Sequence, residues 1–352
     1  MTTTTFEKAE VKQRLPFYNF DKLRSYNGTW NFCIGGRGLG KTYGMKKKVI
    51  RDAIKHGKEF IYLRRYTKEL SSRHTFMADL IAQGEFADYD FKLTGDQLQF
   101  SHERARGDKG RVWKTAGYFM ALSTAQSKKS VAYPLVHTII FDEFIIEKGM
   151  IHYIPDEATA MLNFYSTVDR YEDRVKVFFL ANSVSIDNPY FIQYNIEPKI
   201  DEEWIVSNDN FIVCHFPDSD DFKNEVYKTK FGRFIAETDY ADYAVGNGFK
   251  DNNDNLILLK ESEALYLFTL ETRKGYFSVW RDYEKGQYHI QQRRPKVETV
   301  FTLIAENMKD EKRLLFRNDK LLQGLRQSFT AHQVYFDKPK TRIALIEIFK
   351  QG

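Results

Sequence analysis

Apolar and polar positions alternate in two different ways along this chain, and the change falls near residue 250. In the first two thirds, short apolar runs alternate with helical periodicity, the pattern of an α/β fold. Trp30-Asn31-Phe32-Cys33-Ile34 reads as a buried strand, 41 to about 56 as a helix stopped at Gly57, and Phe60-Ile61-Tyr62-Leu63 as the next strand. A more polar stretch at about 90–121, with a turn at Gly95-Asp96, predicts an antiparallel insertion. Thr138-Ile139-Ile140-Phe141 and 175–180 (VKVFFL) predict two further strands.

Polar punctuation thickens at 218–221 (DSDD) and 247–255 (NGFKDNNDN). It predicts a first domain over 1–219, a connecting subdomain over 220–252 and a second domain over 253–352. Beyond the boundary, 265–270, 276–280 and 288–291 read as a meander of strands, turned at Lys274-Gly275 and Lys285-Gly286. Helical stretches are expected at about 309–330 and 340–350.

Composition narrows the class. With 352 residues and 42% hydrophobic content there is material for two domains, or for one large domain with an appendage. Two cysteines exclude a disulfide framework and a cysteine-based zinc module. Cys33 and Cys214 lie in apolar runs and are expected to be small buried hydrophobes. No apolar stretch approaches the ~20 residues that span a bilayer, so no membrane partner is expected. The opening MTTTTFEKAEVKQRL lacks the apolar core of a signal peptide, and a reducing cytoplasm is the expected compartment. Residues 253–352 hold 18 Lys/Arg against 13 Asp/Glu, whereas the first 252 hold 35 of each. The whole net charge of +5 is therefore C-terminal, which points to a nucleic-acid partner there or to an ordinary basic surface.

Two motifs carry chemistry. Gly35-Gly36-Arg37-Gly38-Leu39-Gly40-Lys41-Thr42 fits G-x-x-x-x-G-K-[ST] between a predicted strand and a predicted helix, the context a P-loop requires. Glycines let backbone N–H groups approach phosphate oxygens, and the helix N-terminus adds partial positive charge. Lys41 would meet the β- and γ-phosphates of ATP and Thr42 would offer its hydroxyl to Mg2+. Arg37 either reaches a phosphate or faces solvent. The run Thr138-Ile139-Ile140-Phe141-Asp142-Glu143 is a Walker B pattern. Asp142 would bind Mg2+ through water and Glu143 would polarise the attacking water. Transfer to a small acceptor does not need the second carboxylate, so the pair points to ATP hydrolysis. A third strand ends at Asn182, placed either to sense the γ-phosphate or to cap the strand.

The segments GGRGLGKT, FIYLRRY, LSTAQSKKSVAYP, IIFDEFIIEK, YIPDEATAMLNFYSTVDRYEDR and FFLANSVSIDNPYF follow in this order. Together they resemble the genome-packaging ATPases of phi29-like short-tailed phages with terminal-protein-capped linear DNA, most closely over about 15–235. The resemblance implies a P-loop domain of the additional-strand, catalytic-glutamate type, with a mostly parallel sheet flanked by helices. A small α+β RNase-H-like C-terminal domain without cleavage function would follow. It further implies a homo-oligomeric ring, pentameric in that family, at the portal vertex of a prohead in the host cytoplasm. The ring drives double-stranded DNA inward, and members with a packaging RNA attach to it through the C-terminal domain. Arg170, in VDRYEDR, matches the family's arginine finger, which enters a neighbour's site, and Lys129, in QSKKS, matches a second trans-acting cation. Arg174 is a second finger candidate, and an ion pair with Glu172 or Asp173, or a charge at a helix end, is the other reading of Arg170. Family analogy puts DNA-tracking loops after the strand leading into LRRYTKEL, so Arg64, Arg65 and Lys68 are either DNA contacts that read no sequence or solvated surface.

Two rival functions follow from the same residues. One is another nucleic-acid ATPase, either a helicase or a packaging motor with an active nuclease. A two-metal nuclease needs about three clustered carboxylates, and in 253–352 only Asp282 stands at a strand end. The other rival is a non-enzymatic assembly protein with a structural nucleotide, which has no use for Glu143. The absence of LSGGQ argues against a transporter ATPase.

Overall fold

The structure is a computed structural model. Its described residues run from 17 to 345, leaving out 106, 108, 129–130, 147–151, 184, 186–187, 199–201, 239–240, 242–244, 246–256, 261, 294–298, 303, 308–311, 315–319, 332, 339–340 and 343. The chain divides into two compact units, Met1–Lys250 and Asp251–Gly352. Among the described residues, no helix is long and apolar enough to cross a membrane.

The first unit opens with α1 (Asp21–Ser25), β1 (Trp30–Gly35), α2 (Lys41–His56), β2 (Glu59–Arg64) and α3 (Ala78–Ala82). There follow β3 (Tyr89–Thr94), β4 (Gln97–His102), β5 (Lys114–Ala121), β6 (Val136–Asp142), α4 (Glu157–Asp169) and β7 (Lys176–Asn182). It closes with α5 (Pro189–Gln193), β8 (Trp204–Ser207), β9 (Ile212–His215), α6 (Asp220–Lys228) and α7 (Lys230–Ile235). The strands form one sheet in the order β3-β4-β5-β2-β6-β7-β1-β9-β8. From β5 to β9 every pairing is parallel, while β3-β4, β4-β5 and β8-β9 are antiparallel.

Strand periodicity sorts the side chains into two cores, one on each face of this sheet. Trp30, Phe32, Ile34, Ile61, Leu63, Phe141 and Phe179 join Met161, Phe164 and Val168 of α4 on one face. Cys33, Phe60, Ile140, Phe178 and Leu180 join Met45, Val49, Ile50 and Ala53 of α2 on the other. Both cysteines are buried and unpaired in β1 and β9, and burial pushes the Cys33 thiol up to about 12.

The insertion expected at about 90–121 is antiparallel only in part. Its last strand, β5, pairs antiparallel with β4 but parallel with β2. Ala116, Phe119, Met120 and Ala121 are buried, as a strand covered on both faces of a parallel sheet must be.

The second unit holds β10 (Leu265–Thr272), β11 (Gly275–Asp282), β12 (Gln287–Gln291), β13 (Val300–Thr302), β14 (Lys312–Leu314), α8 (Lys320–Thr330) and β15 (Val334–Phe336). The sheet order is β14-β13-β10-β11-β12-β15. The meander β10-β11-β12 is antiparallel as expected, and β13 and β14 add in parallel beside β10. Leu322 and Leu325 of α8 pack on Phe268, Leu270, Phe277 and Ile290. The helix expected at 309–330 is cut back: 312–314 is strand, because the open edge of β13 captures it, and the helix begins at Lys320. The helix expected at 340–350 lies mostly outside the described residues.

Candidate active site

The glycine loop joins β1, buried along its whole length, to α2. The reversal between them uses left-handed backbone at Gly38 (φ +83°) and Gly40 (φ +80°), which only glycine adopts at little cost. Gly40 is also confined from outside, since a Cβ there would sit 2.6 Å from the Phe17 ring. The adjoining segment is tied to the loop, with the Tyr18 N–H donating to the Leu39 carbonyl at 2.8 Å. The Tyr18 hydroxyl meets His215 Nδ1 at 2.6 Å, and Nε2 of that ring lies 2.8 Å from Glu203. Gly36 and Leu39 are buried, whereas Arg37 is exposed.

Lys41 is buried at the start of α2 and donates to the carbonyls of Gly35 (2.9 Å) and Gly36 (2.7 Å). Its Nζ lies 3.4 Å from Oδ1 of Asn182, which is in register with Gly35 on the next strand. Burial lowers the Lys41 pKa, against the opposing pull of Cys33 and Asp142. A buried ammonium bonded to carbonyls and an amide oxygen, at the start of a helix, suits a phosphate.

Thr42 Oγ1 donates to both carboxylate oxygens of Asp142, at 3.0 and 3.2 Å, although the two residues lie 100 positions apart. These hard oxygen donors fit Mg2+, which typically takes one or two carboxylates and completes its shell with water and phosphate oxygens. Tyr62 is not legible in the sequence as a site residue, yet its hydroxyl donates to Asp142 Oδ2 at 2.6 Å. Burial, then the nearby Asp142 charge, raises the Tyr62 pKa well above its ordinary value, so the hydroxyl keeps its proton.

Glu143 follows β6 with φ +56°, an uncommon backbone for a residue with a Cβ, and its carboxylate is exposed. It is engaged by Arg64, whose Nη2 lies 2.5 Å from Glu143 Oε2 and 2.9 Å from Glu69 Oε1. Burial opposes the Arg64 charge, but Tyr62, Glu143, Asp142 and Glu69 outweigh it and hold the guanidinium firmly protonated.

Arg64 and Arg65 are therefore not two neighbouring DNA contacts. Strand alternation sends Tyr62 and Arg64 to the α2 face and Arg65 to the α4 face. There the Arg65 guanidinium is enclosed: Nε donates to Glu157 at 2.7 and 2.9 Å and Nη2 to the Phe144 carbonyl at 2.6 Å. At 1% exposure it offers nothing to a phosphate backbone. Lys68 is exposed on the following turn, and Lys129 lies outside the described residues.

Arg170 is exposed just beyond α4, and among the described residues its guanidinium has no partner. The alternative of an ion pair with Glu172 does not form, because Arg174 takes that carboxylate at 2.7 Å, whereas Arg170 does stand as a charge at the end of α4. Arg174 is no finger: it also donates to the carbonyls of Val168 and Val136. Val136 begins β6 and Asp142 ends it. Arg170 thus stands at the opposite edge of the sheet from Lys41, Thr42, Asp142, Glu143 and Asn182, about 20 Å away at the rise of a strand.

In the second unit Asp282 is a turn residue, its Oδ1 accepting the N–H groups of Glu284 and Lys285. Among the described residues no group of three His, Cys, Asp or Glu side chains is placed to hold a metal.

The glycine loop, Lys41, Thr42, Asp142 and Asn182 share the C-terminal edge of a parallel sheet, the place where open α/β sheets bind ligands. This defines an α/β protein with a candidate ligand site at that edge. The profile of the Podovirus DNA encapsidation protein (Gp16) matches residues 12–352. The DNA packaging protein of Bacillus phage phi29 is 36% identical over 338 residues, covering 95% of this chain and 97% of that one. The chain belongs to the Podovirus DNA encapsidation protein (Gp16) family. The solved phi29 viral genome packaging motor assembly matches with a TM-score of 0.75 at 35% identity, over 96% of this chain and 99% of that one. The N-terminal domain of the phi29 DNA packaging ATPase matches with a TM-score of 0.51 at 42% identity, over 58% of this chain and 98% of that one.

Proposed function

We propose that this chain is an ATPase that packages viral double-stranded DNA into a prohead as one subunit of a ring motor. The observation that carries the reading is the meeting of Lys41, Thr42, Asp142 and Asn182, from three separate parts of the chain, at one sheet edge beside Glu143. Family membership and the likeness to the phi29 motor support the packaging role. The position of β7 between β1 and β6 supports the additional-strand, catalytic-glutamate subtype.

The residues divide the chemistry. Lys41 turns from the loop carbonyls to the β- and γ-phosphates, joined by backbone N–H groups from Gly36 to Gly40. Thr42 and Asp142 hold Mg2+, which supplies charge neutralisation on the phosphate oxygens when bound. Glu143, released from Arg64, takes a proton from the attacking water, and Asn182 orients the γ-phosphate end. Arg170 serves the next subunit, since the length of β6 keeps it from its own site. By family analogy the ring is a pentamer at the portal vertex in the host cytoplasm, with Lys129 as a second trans-acting cation and Lys68 facing DNA.

For the second unit we read a ribonuclease-H-like sheet that holds nucleic acid rather than cutting it, and that docks on the prohead or its packaging RNA. A meander extended in parallel on the side of its first strand supports the fold, and the C-terminal excess of +5 supports the partner. Phosphate release measured with Mg2+, with and without DNA, tests the first half. Protection of DNA inside proheads from added nuclease tests the second. Hydrolysis without protected DNA would favour the helicase alternative, and nucleotide binding without hydrolysis would favour a structural nucleotide.

A further inference from the structure

We propose that Asp169 is a positioning residue for Arg170, anchoring a rigid tip that presents the guanidinium outward to the neighbouring subunit. This rests on the trans-acting reading of Arg170 given above.

Asp169 ends α4, where a carboxylate is unfavourable to the helix dipole, and it is nevertheless 1% exposed. What it does there is visible. Its Oδ1 accepts the N–H groups of Arg174 (3.0 Å) and Val175 (2.9 Å), and its Oδ2 accepts that of Asp173 (3.1 Å). One carboxylate thus gathers three backbone donors of the segment returning to β7. The five residues from Arg170 to Arg174 are thereby closed into a loop over the end of the helix.

Within that loop Arg170 (φ +55°), Tyr171 (φ +60°) and Asp173 (φ +54°) all hold left-handed backbone without being glycine. Such conformations persist only where the surroundings impose them. Here Arg174 completes the fastening: it bonds the Val168 and Val136 carbonyls, tying the tip to the helix end and to the start of β6, and it occupies Glu172. The Glu172 carboxylate and the Val168 and Val136 carbonyls are thereby used by Arg174 rather than by Arg170. Arg170 is exposed and Tyr171 is 90% exposed on this braced base. A finger must meet charge on a phosphoryl group to within about an ångström, and misplacement on that scale can cost ~100-fold in rate. Asp169 supplies the rigidity, and the finger supplies the charge.

The test uses full-length subunits mixed in pairs, with mixed rings verified by native mass spectrometry and steady-state phosphate release as the readout. Asp169→Ala rings should bind ATP as wild type does and turn over roughly 100-fold more slowly. Mixing them with Glu143→Gln subunits, which keep an intact tip but lack the base, should restore turnover. Mixing them with Arg170→Ala subunits should not. Asp169→Asn, which retains one acceptor oxygen, should fall between. A merely structural defect in Asp169→Ala would not depend on which neighbour is supplied. Wild-type turnover by Asp169→Ala alongside inactive Arg170→Ala overturns the positioning role while leaving the finger. Wild-type turnover by Arg170→Ala overturns the finger itself. If Asp169→Ala does not fold, Asp169→Asn decides: slow turnover that Glu143→Gln subunits fail to rescue overturns the proposal.

Discussion

Arg64 Nη2 lies 2.5 Å from Glu143 Oε2, so the carboxylate read as the general base is held by a guanidinium that also approaches Asp142 at 3.8 Å. A carboxylate engaged by a guanidinium must let go of it before it can meet a water molecule. On the proposed reading, Arg64 should restrain basal hydrolysis. Arg64→Gln should raise DNA-independent phosphate release about ten-fold, the scale of one hydrogen bond to a charged group. Glu143→Gln should bind nucleotide normally and lose at least ~100-fold in turnover. Steady-state rates beside equilibrium binding check both, and an unchanged basal rate in Arg64→Gln would show that the contact restrains nothing.

Lys41 is buried at a cost to its charge, so its removal should separate stability from binding. Lys41→Met should leave the nucleotide-free protein as stable as wild type or more so, because a desolvated ammonium is replaced by an apolar chain of similar length. The thermal stabilisation that ATP and Mg2+ give the wild type should disappear, with affinity reduced by at least ~30-fold. Melting curves with and without ATP and Mg2+ decide. Retained nucleotide stabilisation in Lys41→Met would remove Lys41 from the site.

The Arg65–Glu157 pair, 1% and 0% exposed in its side chains, should behave as core structure. Arg65→Ala leaves a buried carboxylate without its cation and should cost about 3–5 kcal/mol of unfolding free energy. Replacing both partners by Leu and Met should recover most of it. Urea unfolding of the single and double variants measures this. A fully stable Arg65→Ala with weakened DNA binding would return Arg65 to the role its sequence context suggested.

His215 gives a pH dependence of definite sign. Burial lowers its pKa below the ordinary 6.5, despite Glu203 beside it, so the folded chain prefers the neutral ring. Below 6.5 the unfolded chain binds the proton more readily, and stability falls as pH drops toward the folded-state pKa. The wild type should lose more stability than His215→Gln between neutral and mildly acid pH. Unfolding midpoints in urea across that range would show the difference in slope, and parallel profiles would mean that His215 does not contribute.

Much of the fold is legible in short stretches of the chain. Four-residue apolar runs, a helix ending at Gly57 and the order of glycines before Lys41 are local signals, because buried parallel strands and a phosphate-binding turn leave little choice of residue. The meander of the second unit is equally local, with turns at its two Lys-Gly pairs. The strand at 312–314 is not: which segment fills an open sheet edge depends on a partner far along the chain.

Asp142 and Glu143 are recognisable from their own neighbourhood, and Thr42 meets Asp142 because a parallel sheet brings strand ends to one edge. The parity of FIYLRR carries more, since residues two apart on a strand share a face. Tyr62 and Arg64 have to lie together and Arg65 apart. What the residues cannot decide is which face meets the carboxylates and which meets Glu157. That depends on the order of β2, β6 and β7, a non-local choice made by packing. Thus the kinds of chemistry come from local residue patterns, while tertiary structure sends one arginine to Glu143, its neighbour into the core and Arg170 to the far end of the sheet. Side-chain identity is written locally, but the distance between a charge and its partner is set by strands that are remote in sequence.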